Sequence, residues 1–100
     1  MFIYEVNLFV EYEIARDYAV WLKKHIEEML QKQGFLSAEF YECSDEDIRK
    51  KHWCIQYRIE SMQDLQNYLD NEAEEVRAES TAIFGENFSA SRRVLTKSEL

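Results

Sequence analysis

Few side chains in this sequence could do chemistry near neutral pH: two histidines and two cysteines stand among one hundred residues. His25 lies in "WLKKHIEEML", where helical spacing puts it on one stripe with Ile14, Tyr18, Trp21, Leu22 and Met29. An imidazole pressed towards a sheet could shuttle a proton, its pKa moved by burial and by its neighbours. The plainer and commoner outcome is a half-buried ring hydrogen-bonded to a carbonyl or a tyrosine. His52 and Cys54 share one face of "HWCIQYRIES", whose other face carries Trp53, Ile55, Tyr57 and Ile59. Together with Cys43 they offer sulfur and imidazole, the donors that zinc and copper favour. Three such groups on a flat strand pair surround an ion poorly and no fourth is at hand, so reduced, packed thiols are expected and no metal. A cross-strand disulfide is the lesser alternative.

A third constellation is polar: Glu5, Asn7, Glu39, Tyr41, Gln56, Arg58, Ser91 and Arg93. Around a void these groups could orient a ligand, with Arg58 or Arg93 meeting a carboxylate through both nitrogens. Without a void, Glu39 and Arg58 form an ion pair that fixes how two copies meet.

The elements that must position these groups follow from periodicity. "FIYEVNLFV", 2–10, alternates as a strand, and residues 12–33 switch to a helical spacing with Lys23–Glu27 and Lys24–Glu28 on the outer side. "FLSAEFYEC", 35–43, is a second strand with Leu36, Ala38 and Phe40 as its apolar row. A charged turn, "SDEDIRKK", leads to a third strand over 51–60. Ser61 caps a second helix, with Asp64 three residues on. Met62, Leu65, Leu69, Ala73, Val76, Ile83 and Phe84 form its buried stripe. "FSASRRVL", 88–95, is the last strand and 96–100 a mobile tail. Both glycines, Gly34 and Gly85, fall where helices should stop.

The order strand–helix–strand–strand–helix–strand is α+β. Two right-handed crossovers interlock most simply as a ferredoxin-like βαββαβ domain covering 1–100, with a four-stranded antiparallel sheet and both helices on one face. A turn centred on residues 48–49 pairs Phe40 with Tyr57 on the helix side. It pairs Glu39 with Arg58, Tyr41 with Gln56 and Cys43 with Cys54 on the open side, though a slip of two residues keeps every side chain on its face. Ile3, Phe9 and Phe35 join that open face, which becomes too apolar to leave wet and too polar for a core. A two-fold partner would cover it.

"FIYEV", "WLKKHIEEML", "CIQYRIES", "DLQNYL" and "IFGENFSASRRVL" carry a resemblance over nearly the whole chain. The sequence resembles a bacterial family of roughly hundred-residue proteins known only as a domain of unknown function, within the dimeric α+β barrel superfamily. The resemblance implies a homodimer whose two sheets pack face to face, and no particular activity. Superfamily enzymes bind substrate between helices and sheet, which would set His25 near any chemistry.

Composition narrows the partners. A net charge of −8, with basic residues scattered as pairs, argues against nucleic acid and anionic membranes. No stretch approaches the roughly 20 apolar residues of a membrane span, and the N-terminus does not read as a signal peptide. The two cysteines then suit a reducing cytoplasm. The third strand lacks the glycine-spaced aromatics of RNA-recognition modules, and nucleotide-loop, nucleophile-elbow and zinc-protease motifs are missing. No cofactor is expected. The sequence supports a cytoplasmic homodimer that binds a small molecule between helices and sheet. Two alternatives stand beside it: an oxygenase- or isomerase-like enzyme using His25 with Tyr18, Trp53 or Tyr57, and a protein-interaction dimer without ligand.

Overall fold

In the computed structural model, residues 1–44 and 49–100 are described. The chain runs β1 (Phe2–Glu11), α1 (Tyr12–Met29), β2 (Phe35–Cys43), β3 (Lys50–Ile59), α2 (Met62–Asn71), α3 (Ala73–Phe84) and β4 (Phe88–Thr96). The four strands form one antiparallel sheet in the order β2-β3-β1-β4. This is the ferredoxin-like arrangement that the element order predicts, with the two crossovers placing all helices on one side. No helix among the described residues is long and apolar enough to cross a membrane.

The central strands explain the order. β1 and β3 alternate most strongly, so Tyr4, Leu8 and Val10 join Ile55, Tyr57 and Ile59 as a fully buried floor. Tyr18, Leu22 and Met29 of α1 close the core from above, with Leu65 and Tyr68 of α2 beside them. The core is unusually rich in tyrosine. Tyr4 stacks on Tyr57 at 6.3 Å and meets Tyr68 edge-on at 6.0 Å.

Three expectations need correction. The β2–β3 hairpin is slipped by two residues: Glu39 stands opposite Gln56, Phe40 opposite Ile55, Tyr41 opposite Cys54, and Cys43 opposite His52. The slip preserves which face each side chain occupies, so the pattern of burial alone did not decide it. Residues 45–48, on which the turn placement rests, lie outside the described residues. Second, a β-bulge between Phe35 and Ser37 makes Leu36 the extra residue. Phe35 thereby turns from the open face into the core, 5.7 Å from Tyr57 and 5.2 Å from Tyr68, while Leu36 is left exposed. The open face is less apolar than the sequence suggested.

Third, the second helix is two helices. The backbone of Glu72 leaves helical geometry at φ −131°, and α3 begins one residue later. Tyr68 and Ala73, both buried, are five residues apart, a separation of about 140° on a straight helix. The break returns both to the sheet side. Glu72 also receives a 2.7 Å hydrogen bond from Lys32, tying the junction to the end of α1. Met62 and Ile83, expected in the buried stripe, are exposed.

The predicted cap of α2 forms: the Asp64 amide donates to Ser61 Oγ at 3.2 Å, and Ser61 Oγ donates to Asp64 Oδ2 at 2.9 Å. α1 ends at Met29, earlier than expected, and a turn carries the chain to Gly34 at φ +83°. The Gly34 carbonyl accepts from the Glu60 amide at 2.9 Å, and a Cβ on Gly34 would stand 2.5 Å from the Asp64 side chain. Gly34→Ala is therefore expected to destabilise the fold by roughly 1–3 kcal/mol, from positive φ and from disturbing the α2 cap. Chemical denaturation of the variant checks this.

Candidate functional site

The open face of the sheet carries a polar network across three strands. Glu5, only 3 % exposed, sits at its centre. Its carboxylate accepts from Gln56 Nε2 at 2.9 Å, from Asn7 Nδ2 at 3.0 Å, and from Arg93 Nε across β4. Asn7 Oδ1 continues the chain to His52 Nε2 at 2.8 Å, and the His52 ring stacks on Phe9 with centroids 4.3 Å apart. Arg93 above all, with Gln56 and Asn7, outweighs burial and holds the Glu5 carboxyl near pKa 2, well below its ordinary 4.5. Four residues of the polar constellation thus meet, Glu5, Asn7, Gln56 and Arg93, and His52 joins them through Asn7. The guanidinium of Arg93 is already engaged by this chain's own carboxylate.

Glu39, Tyr41 and Arg58 stand apart, while Ser91 lies opposite Asn7 on β4. Tyr41 donates its hydroxyl to Glu39 on the edge strand, and this bond raises the Tyr41 pKa. Arg58 is not opposite Glu39; its Nε lies 3.1 Å from Met1 Sδ. The expected Glu39–Arg58 pair is lost with the two-residue slip. Cys54 is buried, and burial pushes its thiol up to about 11, with the negative charge of Glu5 adding to the effect. A thiol so held is a packing group at neutral pH. Among the described residues no three His, Cys, Asp or Glu side chains are grouped so that they could hold a metal ion.

The helix side holds a different arrangement. Between α1, α3 and the sheet lies a crevice of about 40 Å³ walled by Tyr4, Tyr18, Tyr57 and Tyr68 with Trp21, His25, Val76 and Phe88. That volume holds no more than a few water-sized groups. It opens at one end into a bay of about 370 Å³ lined by His25, Glu28, Lys32, Glu72, Glu75 and Glu79. At the other end, between α3 and β4, lies a bay of about 220 Å³ where Arg77 and Arg92 line both spaces. Burial pushes the Tyr18 and Tyr68 phenols up to about 12 and raises Tyr57 further, so all three stay neutral.

His25 stands where the crevice meets the acidic bay. Its ring is nearly parallel to Trp21, 8° between planes and 4.7 Å between centroids. Burial lowers its pKa; the Glu28 charge opposes this, while Lys32 and Arg92 add to it. Because the folded value lies below the ordinary 6.5, the unfolded chain binds the proton first. Stability is then full above that value and falls as the pH drops below it. A histidine NMR titration is expected to find His25 protonating below pH 6.5.

Arg77 and Arg92 were missed in the sequence, where Arg92 counts only as half of one scattered basic pair. A signal existed for Arg92: its parity in β4 matches Phe88 and Ala90, so it belongs to the helix-facing row. It stands opposite Val6, one step from the Glu5–Arg93 pair on the other face. Arg77, on the flank of α3, carried no such mark.

The family described as Domain of unknown function (DUF4286) matches residues 1–98. The chain belongs to that family. No curated protein matches this DUF4286 chain by sequence. Solved structures similar to the DUF4286 chain share its fold. One is a Deinococcus radiodurans protein provisionally named an antibiotic biosynthesis monooxygenase, with TM-score 0.74 and 16 % identity over 100 % of this chain and 95 % of that one. SnoaB, a cofactor-independent oxygenase from Streptomyces nogalater, has TM-score 0.68 and 10 % identity, covering 99 % and 95 %. A conserved protein from Methanosarcina mazei Go1 has TM-score 0.69 and 15 % identity, covering 98 % and 94 %. At such identities the likeness shows the antiparallel ferredoxin-like fold, and activity does not follow from it.

Proposed function

We propose that this DUF4286 protein binds a small organic molecule in the crevice between α1, α3 and the sheet. The observation that carries the reading is convergence: two arginines, the neutral Tyr18, Tyr57 and Tyr68, and a neutral histidine from five elements meet at one apolar-walled opening. The inner space is small, so a ligand rests mainly in a bay and wedges one end beneath α3. That helix fully buries only Ala73 and Ser80 and is joined to α2 by the break at Glu72, so it can yield. Saturation-transfer NMR with a library of small aromatic and aliphatic molecules tests this against Val76→Trp, which fills the opening. Signals lost in the variant support the reading; signals that survive in a folded variant remove it.

Catalysis in the same crevice is the second reading, favoured by His25, neutral and facing both the crevice and the bay. SnoaB is a cofactor-independent oxygenase of this fold. Tyr18 and Tyr57 line the crevice beside His25, whereas Trp53 is not among its walls. Oxygen uptake abolished by His25→Phe supports an enzyme; uptake indifferent to that change removes His25 from the account.

The open sheet face is read as the contact between two copies, in a cytoplasmic setting that keeps Cys43 and Cys54 reduced. Glu5 and Cys54 are already covered, and Phe9, Asn7, His52 and Gln56 are half-buried beside them. Sedimentation equilibrium is expected to give twice the chain mass, and Phe9→Arg to give the single chain. A single chain for the unaltered protein contradicts the dimer. A dimer that binds nothing in the crevice leaves the interaction-only reading.

A further inference from the structure

We propose that the crevice ligand is a small organic monoanion, a carboxylate on a flat apolar body, gripped by Arg77 and Arg92. This rests on the crevice being a binding site and adds the class of molecule it takes. Arg77 comes from α3 and Arg92 from β4, and both line the inner crevice and the outer bay, so their side chains flank one mouth. Arg77 Nη2 donates to Tyr4 Oη at 3.3 Å, which anchors it at the rim. Both positive charges are felt at the Tyr68 phenol.

The chain carries 20 acidic residues, yet among the described residues no carboxylate forms an ion pair with either of these two guanidiniums. The salt bridges among the described residues are Lys32–Glu72, Lys51–Glu42 and Arg93–Glu5, and neither Arg77 nor Arg92 takes part in one. The contrast with Arg93 is direct: adjacent in sequence, it is held by Glu5 on the opposite face. Two cations at one mouth repel, and an anion between them relieves that cost. The planar fork of each guanidinium matches a carboxylate through two parallel bonds.

The rest of the ligand is set by the walls. The inner crevice takes only one edge of the ligand, and its aromatic faces, from Tyr18, Trp21 and Phe88, favour the edge of a flat apolar body over a bare inorganic ion. The far bay carries Glu28, Glu72, Glu75 and Glu79, so a second negative group reaching that end would be repelled. One charge is therefore admitted, at the arginine end.

Heteronuclear NMR titration of the full chain with phenylacetate, its neutral amide phenylacetamide, and inorganic sulfate tests the class. Phenylacetate is expected to shift the Trp21 indole and the Arg77 and Arg92 side-chain signals, and to bind at least about 10-fold more tightly than the amide, the worth of one charge-assisted contact. The preference should vanish in Arg77→Gln/Arg92→Gln and persist in Arg16→Gln on the outer side of α1. Equal binding of acid and amide at the same residues overturns the anion and leaves the crevice reading standing. Sulfate binding as tightly as phenylacetate overturns the carboxylate-on-apolar-body class. No shift at the crevice from any of the three overturns the anion, while the library screen against Val76→Trp decides the crevice reading separately.

Discussion

Tyr18→Ala is expected to lower the unfolding free energy by about 3–5 kcal/mol, the cost of deleting a buried aromatic ring. Tyr18 is 1 % exposed, and its ring touches four others: Trp21 at 5.5 Å, Trp53 at 6.3 Å, Phe84 at 4.7 Å and Phe88 at 5.2 Å. These rings come from α1, β3, α3 and the start of β4. One side chain thus joins both crossover helices to both halves of the sheet. A domain of this size holds only about 5–15 kcal/mol in all, so the variant should be close to unfolding at room temperature. Ile83→Ala on the exposed side of α3 should change stability by less than about 0.5 kcal/mol. Urea denaturation of the pair checks the contrast. A loss below about 1 kcal/mol for Tyr18→Ala would mean that the helices are not held through this ring.

Glu5→Gln is expected to be the second most costly change, and its cost should depend on pH. The Glu5 carboxyl titrates near 2 in the folded chain against an ordinary 4.5, because Arg93, Gln56 and Asn7 all donate to its ionised form. Its contribution is therefore complete above about pH 4.5 and fades as the pH falls towards 2. The difference is equivalent to about 3 kcal/mol. Water around Arg93, whose side chain is 65 % exposed, trims this towards about 2 kcal/mol. The glutamine keeps the shape and loses the charge. Urea midpoints of native protein and variant should differ most at neutral pH and converge as the solution is acidified through that window. A difference that stays constant down to pH 2 would place the stabilisation in shape rather than in charge.

The open-face network and the fold were legible to different depths. Strict alternation in β1 and β3 announced the sheet and its two faces, and the helical stripe of α1 announced where its core side lay. Parity alone put Glu5, Asn7, Gln56 and Arg93 on one face. Parity is blind to a slip of two residues, so the partners of Glu39 and Arg58 were not fixed by it. A bulge reverses parity without any mark in composition. Phe35 looked like part of the open face and is core, because one extra residue at Leu36 turns the strand. The break at Glu72 was hidden for a similar reason: Leu65, Leu69, Ala73 and Val76 fit a continuous helix, and only the burial of Tyr68 exposes the misfit.

The crevice was half legible. His25 stood out as a lone imidazole in an apolar stripe, and it does face the space beneath the helices. Of the two arginines, Arg92 passed as half of a scattered basic pair, and Arg77 carried no mark in the sequence. Arg92 and Arg93 show how much a strand can separate two neighbours: one ties a buried carboxylate on the open face, the other borders the crevice beneath the helices. Charge in sequence says little about charge in place.

The most direct test of the account is a map of backbone and side-chain NMR shifts as the protein is titrated with small-molecule fragments. The account predicts that ligands which bind converge on Trp21, His25, Val76, Arg77 and Arg92. Shifts gathered instead on the open sheet face around Glu5, Asn7 and His52, with the helix side silent, would contradict it.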